Sequence, residues 1–217
     1  MPDAWHKRMV GFDTETTGTD AFARVVEFGV CVWEDGRKVV NMSWLLNPGP
    51  LDLADPSIRE AFEVNKLDPA SLRDQPTFSE VFPLIRQCLE QAEVRVAHNA
   101  PFDQKMLRQE FQRAVAAGTL EPGQGAGSGK HATLDTLALD LAVNPSAKGH
   151  SLQATAERWK VQSGWQAHRA SGDAEAAVRI MHAMAPSLPG DLVEVLARQK
   201  KSQAEWQARM DSRRSKK

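Results

Sequence analysis

The 217-residue chain contains no tyrosine, only two cysteines and no apolar run long enough to span a bilayer. Two cysteines, Cys31 and Cys88, cannot supply a disulfide framework, and they form no metal-spaced pair. They read as reduced core residues, one in a strand and one in a helix. The opening stretch "MPDAWHKRMV" lacks an apolar segment before a small-residue cleavage site, so no export signal and no membrane association are expected, and a cytoplasmic location is. Net charge is also nearly absent, at −1. That balance conceals an asymmetry: Arg198 to Lys217 holds eight Lys/Arg against Glu205 and Asp211, a tail of +6 on a body of −7. An acidic body with a basic tail suits a nucleic-acid enzyme only if cations enter the body or the tail supplies the attraction.

What is present is enough apolar material, 41% of residues, for one sizeable core. Residues 1–186 read as one domain and 187–217 as a basic, helical C-terminal tail. An apolar strand leads into two β-rich runs, "RVVEFGVCVW" and "KVVNMSWLL", whose linker "EDGR" carries the Asp-Gly signal of a hairpin. Trp33 and Trp44 fall on this meander as expected core residues. Helical periodicity then marks "TFSEVFPLIRQCLEQA", where Pro83 predicts a kink, and "PFDQKMLRQEFQRAVAAG" after the short strand "VRVA". "TLDTLALDLA", "SLQATAERW" and "DAEAAVRIMHAM" read as three more helices, the second capped by Ser151. The Gly-rich "EPGQGAGSGK" reads as a loop rather than a domain linker. Strands first, then strands alternating with helices, predict an α/β domain built on a mixed sheet.

The first strand ends in "FDTETTG". Side chains at i and i+2 of an extended chain share a face, so Asp13 and Glu15 stand side by side with Thr14 opposite. Two carboxylates about 4 Å apart repel by roughly 4 kcal/mol at an effective dielectric of about 20, which calls for a cation or a shared proton. Asp103, in "AHNAPFDQKML", falls in the first turn of a helix that Asn99 can cap and Pro101 can open. Asp173, in "AHRASGDAEAA", falls just inside a helix with Ser171 as candidate cap. Singly, each aspartate reads as a helix-dipole residue and His168 as a surface histidine.

In this order, "FDTETTG", "HNAPFD" and His168 followed five residues on by Asp173 resemble the three motifs of the DnaQ-like 3′-to-5′ exonuclease family, in the branch whose third motif carries histidine. The family includes the proofreading epsilon subunit of bacterial DNA polymerase III and RNase T. The resemblance covers Met9 to about Met184. A sister branch uses tyrosine in place of the histidine, and a chain without tyrosine is excluded from it.

The resemblance implies a ribonuclease-H-like fold, a mixed sheet flanked by helices, with Asp13, Glu15, Asp103 and Asp173 converging at one end of the sheet. These four would hold two divalent cations, Mg²⁺ or Mn²⁺, because hard oxygen donors without cysteine favour such ions. His168 would be the general base, and the product a nucleoside 5′-monophosphate. The backbone around Thr16 and Thr17 would meet the terminal nucleotide, Phe102 would stack or wedge a base, and Asn99 would hold the motif together or touch substrate. Trp165 reads as a packing residue with a stacking role as the alternative. The implied substrate is a 3′ end of single-stranded DNA, with RNA trimming on the same fold as the nearest rival and a non-catalytic binding module as the rival of another class. Two departures stand out: "FEVNKLDPASL" lacks a His-Gly pair that family members often carry, and "APSLPGDL" only faintly echoes the clamp-contact peptide of proofreading subunits. Beyond Pro189, Leu192, Leu196, Gln199, Gln203, Trp206 and Met210 form a heptad seam. Such a helix folds back on its own domain or frays, docks a protein partner, or tracks a phosphate backbone.

Overall fold

The computed structural model describes residues 5–125, 131–161 and 168–214. A five-stranded sheet has the order β3-β2-β1-β4-β5. Strands β1 (Arg8–Thr16), β2 (Val25–Glu34) and β3 (Arg37–Leu45) form the expected antiparallel meander, with β4 (Val94–Ala97) and β5 (Ala132–Asp135) adding in parallel. Asp35 and Gly36 both take positive φ, 47° and 80°, which is the turn that lets right-twisted strands reverse in two residues.

The central strand β1 serves both layers by alternation. Val10 and Phe12 enter a core shared with helices α2 (Phe78–Glu90) and α3 (Ala100–Ala116). Met9 enters the opposite core, with α4 (Thr136–Val143), α5 (Leu152–Arg158), α6 (Ala170–Met184) and α7 (Leu192–Arg214). Helix α6 lies against β1 and β2 closely enough to need two glycines. A Cβ on Gly29 would sit 2.0 Å from the Ala170 carbonyl carbon, and one on Gly11 would sit 2.4 Å from the Ala174 oxygen. This close approach carries the start of α6 to the end of β1 that bears Asp13.

Several sequence expectations change. "TLDTLALDLA" is not helical throughout: its first residues belong to β5, where the backbone pairs with β4 and Leu134 is buried, and the Asp135 side chain caps α4 by accepting from Leu137 N. Helix α6 starts at Ala170 with Arg169, not Ser171, at its N-cap. The cause is long-range, because Glu27 of β2 accepts from the Ala170 N–H. Helix α2 runs through Pro83, which lies on its exposed face. An additional helix, α1 (Pro56–Asn65), opens on an Asp55 cap whose side chain accepts from Ser57 N, with Pro in its first turn. Ser151 caps α5 as expected, accepting from Ala154 N. Cys31 is buried in β2 and Cys88 lies in α2, both free. Trp33 is buried, and Trp44 stacks on Phe28 with ring centroids 6.1 Å apart.

Of the readings left open for the C-terminal helix, α7 takes the first: it folds back on its own domain. Leu192, Val195 and Leu196 join the α6-side core, Arg198 donates to the Ala142 carbonyl, and Gln199 is buried against β5. Among the described residues no helix is long and apolar enough to cross a membrane.

Candidate active site

The C-terminal end of β1 presents Asp13 and Glu15 toward α6, in register with Gly29 and Glu27 of β2. Opposite them, Thr14 donates from its N–H (2.9 Å) and its hydroxyl (2.7 Å) to one oxygen of Asp103, which is buried in the first turn of α3. Strand β1 therefore has carboxylates on both sides of its last turn of backbone. Glu15, His168 and Asp173 each offer a ligand atom, and these atoms lie within 4.8 Å of one another. The His168 N–H also donates to Asp173 Oδ2 (3.2 Å), and His168 itself takes φ 59°, a left-handed conformation uncommon outside glycine.

Electrostatics join the remaining acids to this cluster. Burial holds the Asp13 carboxyl well above its ordinary range, and Asp103, Asp173, Glu15 and Glu27 push it further the same way. Glu15 is pushed up to about 8, first by burial and then by Asp173, Glu27 and Asp103, with Arg169 opposing. Asp103 rises to about 7 through burial, against the pull of its two bonds from Thr14. Carboxylates crowded into low dielectric resist ionising together unless positive charge enters. Oxygen donors of this kind, with one imidazole at hand, suit a hard divalent cation, so the residues fit the metal that the motifs imply.

Two residues absent from the sequence reading build the wall behind His168. Glu27, with no solvent exposure, accepts from Arg169 Nε (3.1 Å) and Nη2 (3.0 Å), from Ala170 N and from the Ser43 hydroxyl. A glutamate in the middle of the apolar run "VVEFGV" was the available signal, since such a residue is rarely buried without a partner. The bidentate pair fixes Arg169, and with it the backbone that carries His168.

The expected substrate residues are placed as follows. The Thr17 N–H donates to the Arg24 carbonyl, and its buried hydroxyl accepts from the Arg24 N–H, so both close the β1–β2 loop. The Thr16 hydroxyl donates to the Gly18 carbonyl (2.6 Å). Asn99 does occupy the N-cap of α3, but its exposed side chain makes no cap bond, and its backbone sits at φ 65°. Phe102 is half-buried on the α3-side core. Trp165 lies outside the described residues.

The model of the exonuclease family RNase_T matches residues 10–181. The chain belongs to this exonuclease family. The match runs from β1 through most of α6 and so contains all three motifs whose order resembles the DnaQ-like pattern. Family relatives include a DNA polymerase III subunit epsilon of Rickettsia conorii, 31% identical over 77% of this chain and 69% of its own length. A DNA polymerase III subunit epsilon-like protein of Rhodobacter capsulatus is 32% identical over 81% of this chain, and a PolC-type DNA polymerase III of Halalkalibacterium halodurans is 27% identical over 81%. This chain spans only 24% and 11% of those two proteins. Among solved structures, exonuclease X in complex with 5′-overhanging duplex DNA superposes with a TM-score of 0.61 at 23% identity, covering 88% of this chain and 99% of its own. The zinc-ion-bound form of the E. coli exonuclease I–single-stranded DNA complex gives 0.63 at 17% identity, covering 83% of this chain and 41% of that one. Both share the ribonuclease-H-like exonuclease fold, a mixed sheet flanked by helices, that this family member adopts.

Proposed function

We propose that this protein is a metal-dependent 3′-to-5′ exonuclease that removes nucleoside 5′-monophosphates from single-stranded DNA ends. The observation that carries the reading is the meeting of Glu15, His168 and Asp173 within 4.8 Å beside the crowded Asp13 and Asp103. Asp13, Glu15, Asp103 and Asp173 would hold two divalent cations, Mg²⁺ or Mn²⁺, which when bound supply the positive charge that phosphodiester cleavage requires. His168, exposed at the rim, takes the proton from the attacking water, a role for which an imidazole is suited near neutral pH. The bond that breaks joins phosphorus to the 3′-oxygen of the penultimate nucleotide. The Glu27–Arg169 pair keeps His168 at the start of α6 while substrate enters. Thr16, Thr17, Asn99 and Phe102 border the path of the terminal nucleotide.

The names of the DNA polymerase III relatives favour DNA over RNA, and a proofreading or repair role in the cytoplasm is the setting we propose for it. The outward face of α7 carries Lys200, Lys201 and Arg209, all exposed, where a phosphate backbone would run. A protein partner engaging this helix would meet the same basic face, because the inner one is taken by the chain's own domain.

Digestion of 5′-labelled single-stranded DNA and RNA of one sequence, with Mg²⁺, Mn²⁺ or EDTA, tests the reading. A ladder shortening from the DNA 3′ end, lost in EDTA and in Asp13→Ala, is expected. Preferred cleavage of the RNA strand would reassign the substrate, and no cleavage under either metal would leave a binding module.

A further inference from the structure

The last residue of β5, Asp135, is buried and connects two distant elements. Its Oδ1 accepts from Leu137 N (3.0 Å) and from Asn99 N (2.9 Å), the N-cap residue of α3. Its Oδ2 accepts from Gln203 Nε2 of α7 (3.1 Å). Its own N–H donates to Gln199 Oε1 (2.8 Å), while Gln199 Nε2 donates to the Thr133 carbonyl (3.1 Å). The Gln199 amide thus takes the two edge positions that a sixth strand would pair, closing an otherwise open sheet edge.

Asn99 needs an external hold. Its backbone is left-handed, a conformation asparagine tolerates better than most residues but does not prefer, and its side chain gives the helix no cap bond. What fixes the amide is the Asp135 carboxylate, and Asp103 follows four residues later on the first turn. We infer that Asp135, clamped by Gln199 and Gln203, is a positioning residue for Asp103, so that α7 braces the catalytic end of the sheet and is part of the working enzyme. The inference rests on the proposed role of Asp103 as a metal-holding carboxylate. It also specifies a route of control: whatever lifts α7 from β5 loosens the start of α3.

The test uses the full chain with Gln199→Met and Gln203→Met, singly and together, and Val195→Ala as a control. Val195 is buried on the same helix and none of its atoms bonds Asp135, so its truncation lowers stability without touching the clamp. Two readouts apply: amide hydrogen exchange at Asn99, and Mn²⁺ affinity by electron paramagnetic resonance without substrate. The double variant is expected to speed Asn99 exchange about tenfold and weaken Mn²⁺ binding by about 10- to 100-fold, the usual effect of losing an outer-shell partner. Val195→Ala should lower the melting temperature and move neither readout. Glutamine variants that behave like Val195→Ala would overturn the inference, and faster Asn99 exchange with unchanged Mn²⁺ affinity would overturn the link to Asp103. A wild-type chain that binds no Mn²⁺ would instead refute the metal reading, while the Asn99 amide would still report the brace.

Discussion

Glu15→Gln should make the metal-free protein more stable, although it removes a group assigned to the chemistry. Glu15 has its carboxyl raised from 4.5 to about 8 by burial and by neighbouring acids. An acid whose folded value lies above its unfolded one binds its proton more tightly when folded. Its stabilising contribution is therefore complete below about pH 4.5 and is lost as the pH rises toward 8. At about 1.36 kcal/mol per unit, the loss approaches about 4 kcal/mol at pH 8, and partial exposure of the side chain lowers it to about 2–4 kcal/mol. Glutamine keeps the shape and cannot ionise. For a chain of this size that corresponds to a melting temperature higher by roughly 5–10 °C. The assay is thermal unfolding in EDTA at pH 4.5 and pH 8, repeated with Mg²⁺ in excess. The variant should gain over wild type at pH 8 and not at pH 4.5, and Mg²⁺ should narrow the gap by stabilising wild type more than the variant. A variant no more stable than wild type at pH 8 in EDTA would refute the claim that burial and the neighbouring acids disfavour the Glu15 charge.

The same protons should compete with metal: Mn²⁺ affinity should rise between pH 6 and pH 8 as Glu15 and Asp103, raised to about 8 and about 7, give up theirs, and a pH-independent titration would contradict this. Gly29→Ala should cost roughly 3 kcal/mol or more in urea unfolding, because its methyl would meet the backbone of Ala170 and push α6 from the sheet. Glu27→Gln should cost about 1–3 kcal/mol by weakening the pair with the partly exposed Arg169, and it should slow cleavage while Asp13→Ala abolishes it. A fully active Glu27→Gln would show that the pair does not hold His168.

Much of the architecture follows from local pattern. The apolar run into Asp13 and Glu15, the Asp-Gly turn at Asp35–Gly36 and the Ser151 cap each depend on a few neighbouring residues. Short-range periodicity and turn chemistry suffice to place them. The order of the three motifs was equally readable, since it needs only residue types at fixed spacings.

Other features depend on residues far apart in the chain. Residues 133–135 read as the start of a helix and still form a strand, because β4 offers a ladder and the core buries Leu134. Helix α6 begins at Ala170 because Glu27, 143 residues earlier, accepts from its amide. Gln199 and Gln203 read in sequence as the polar middle of a heptad seam, and in the fold they close the β5 edge and hold Asp135. The sequence by itself determined which side chains are available for chemistry and which short segments could carry them. Tertiary structure decided which distant groups stabilise those segments, because buried hydrogen bonds and ion pairs form only where sheet order and layer packing bring donor and acceptor together and exclude water.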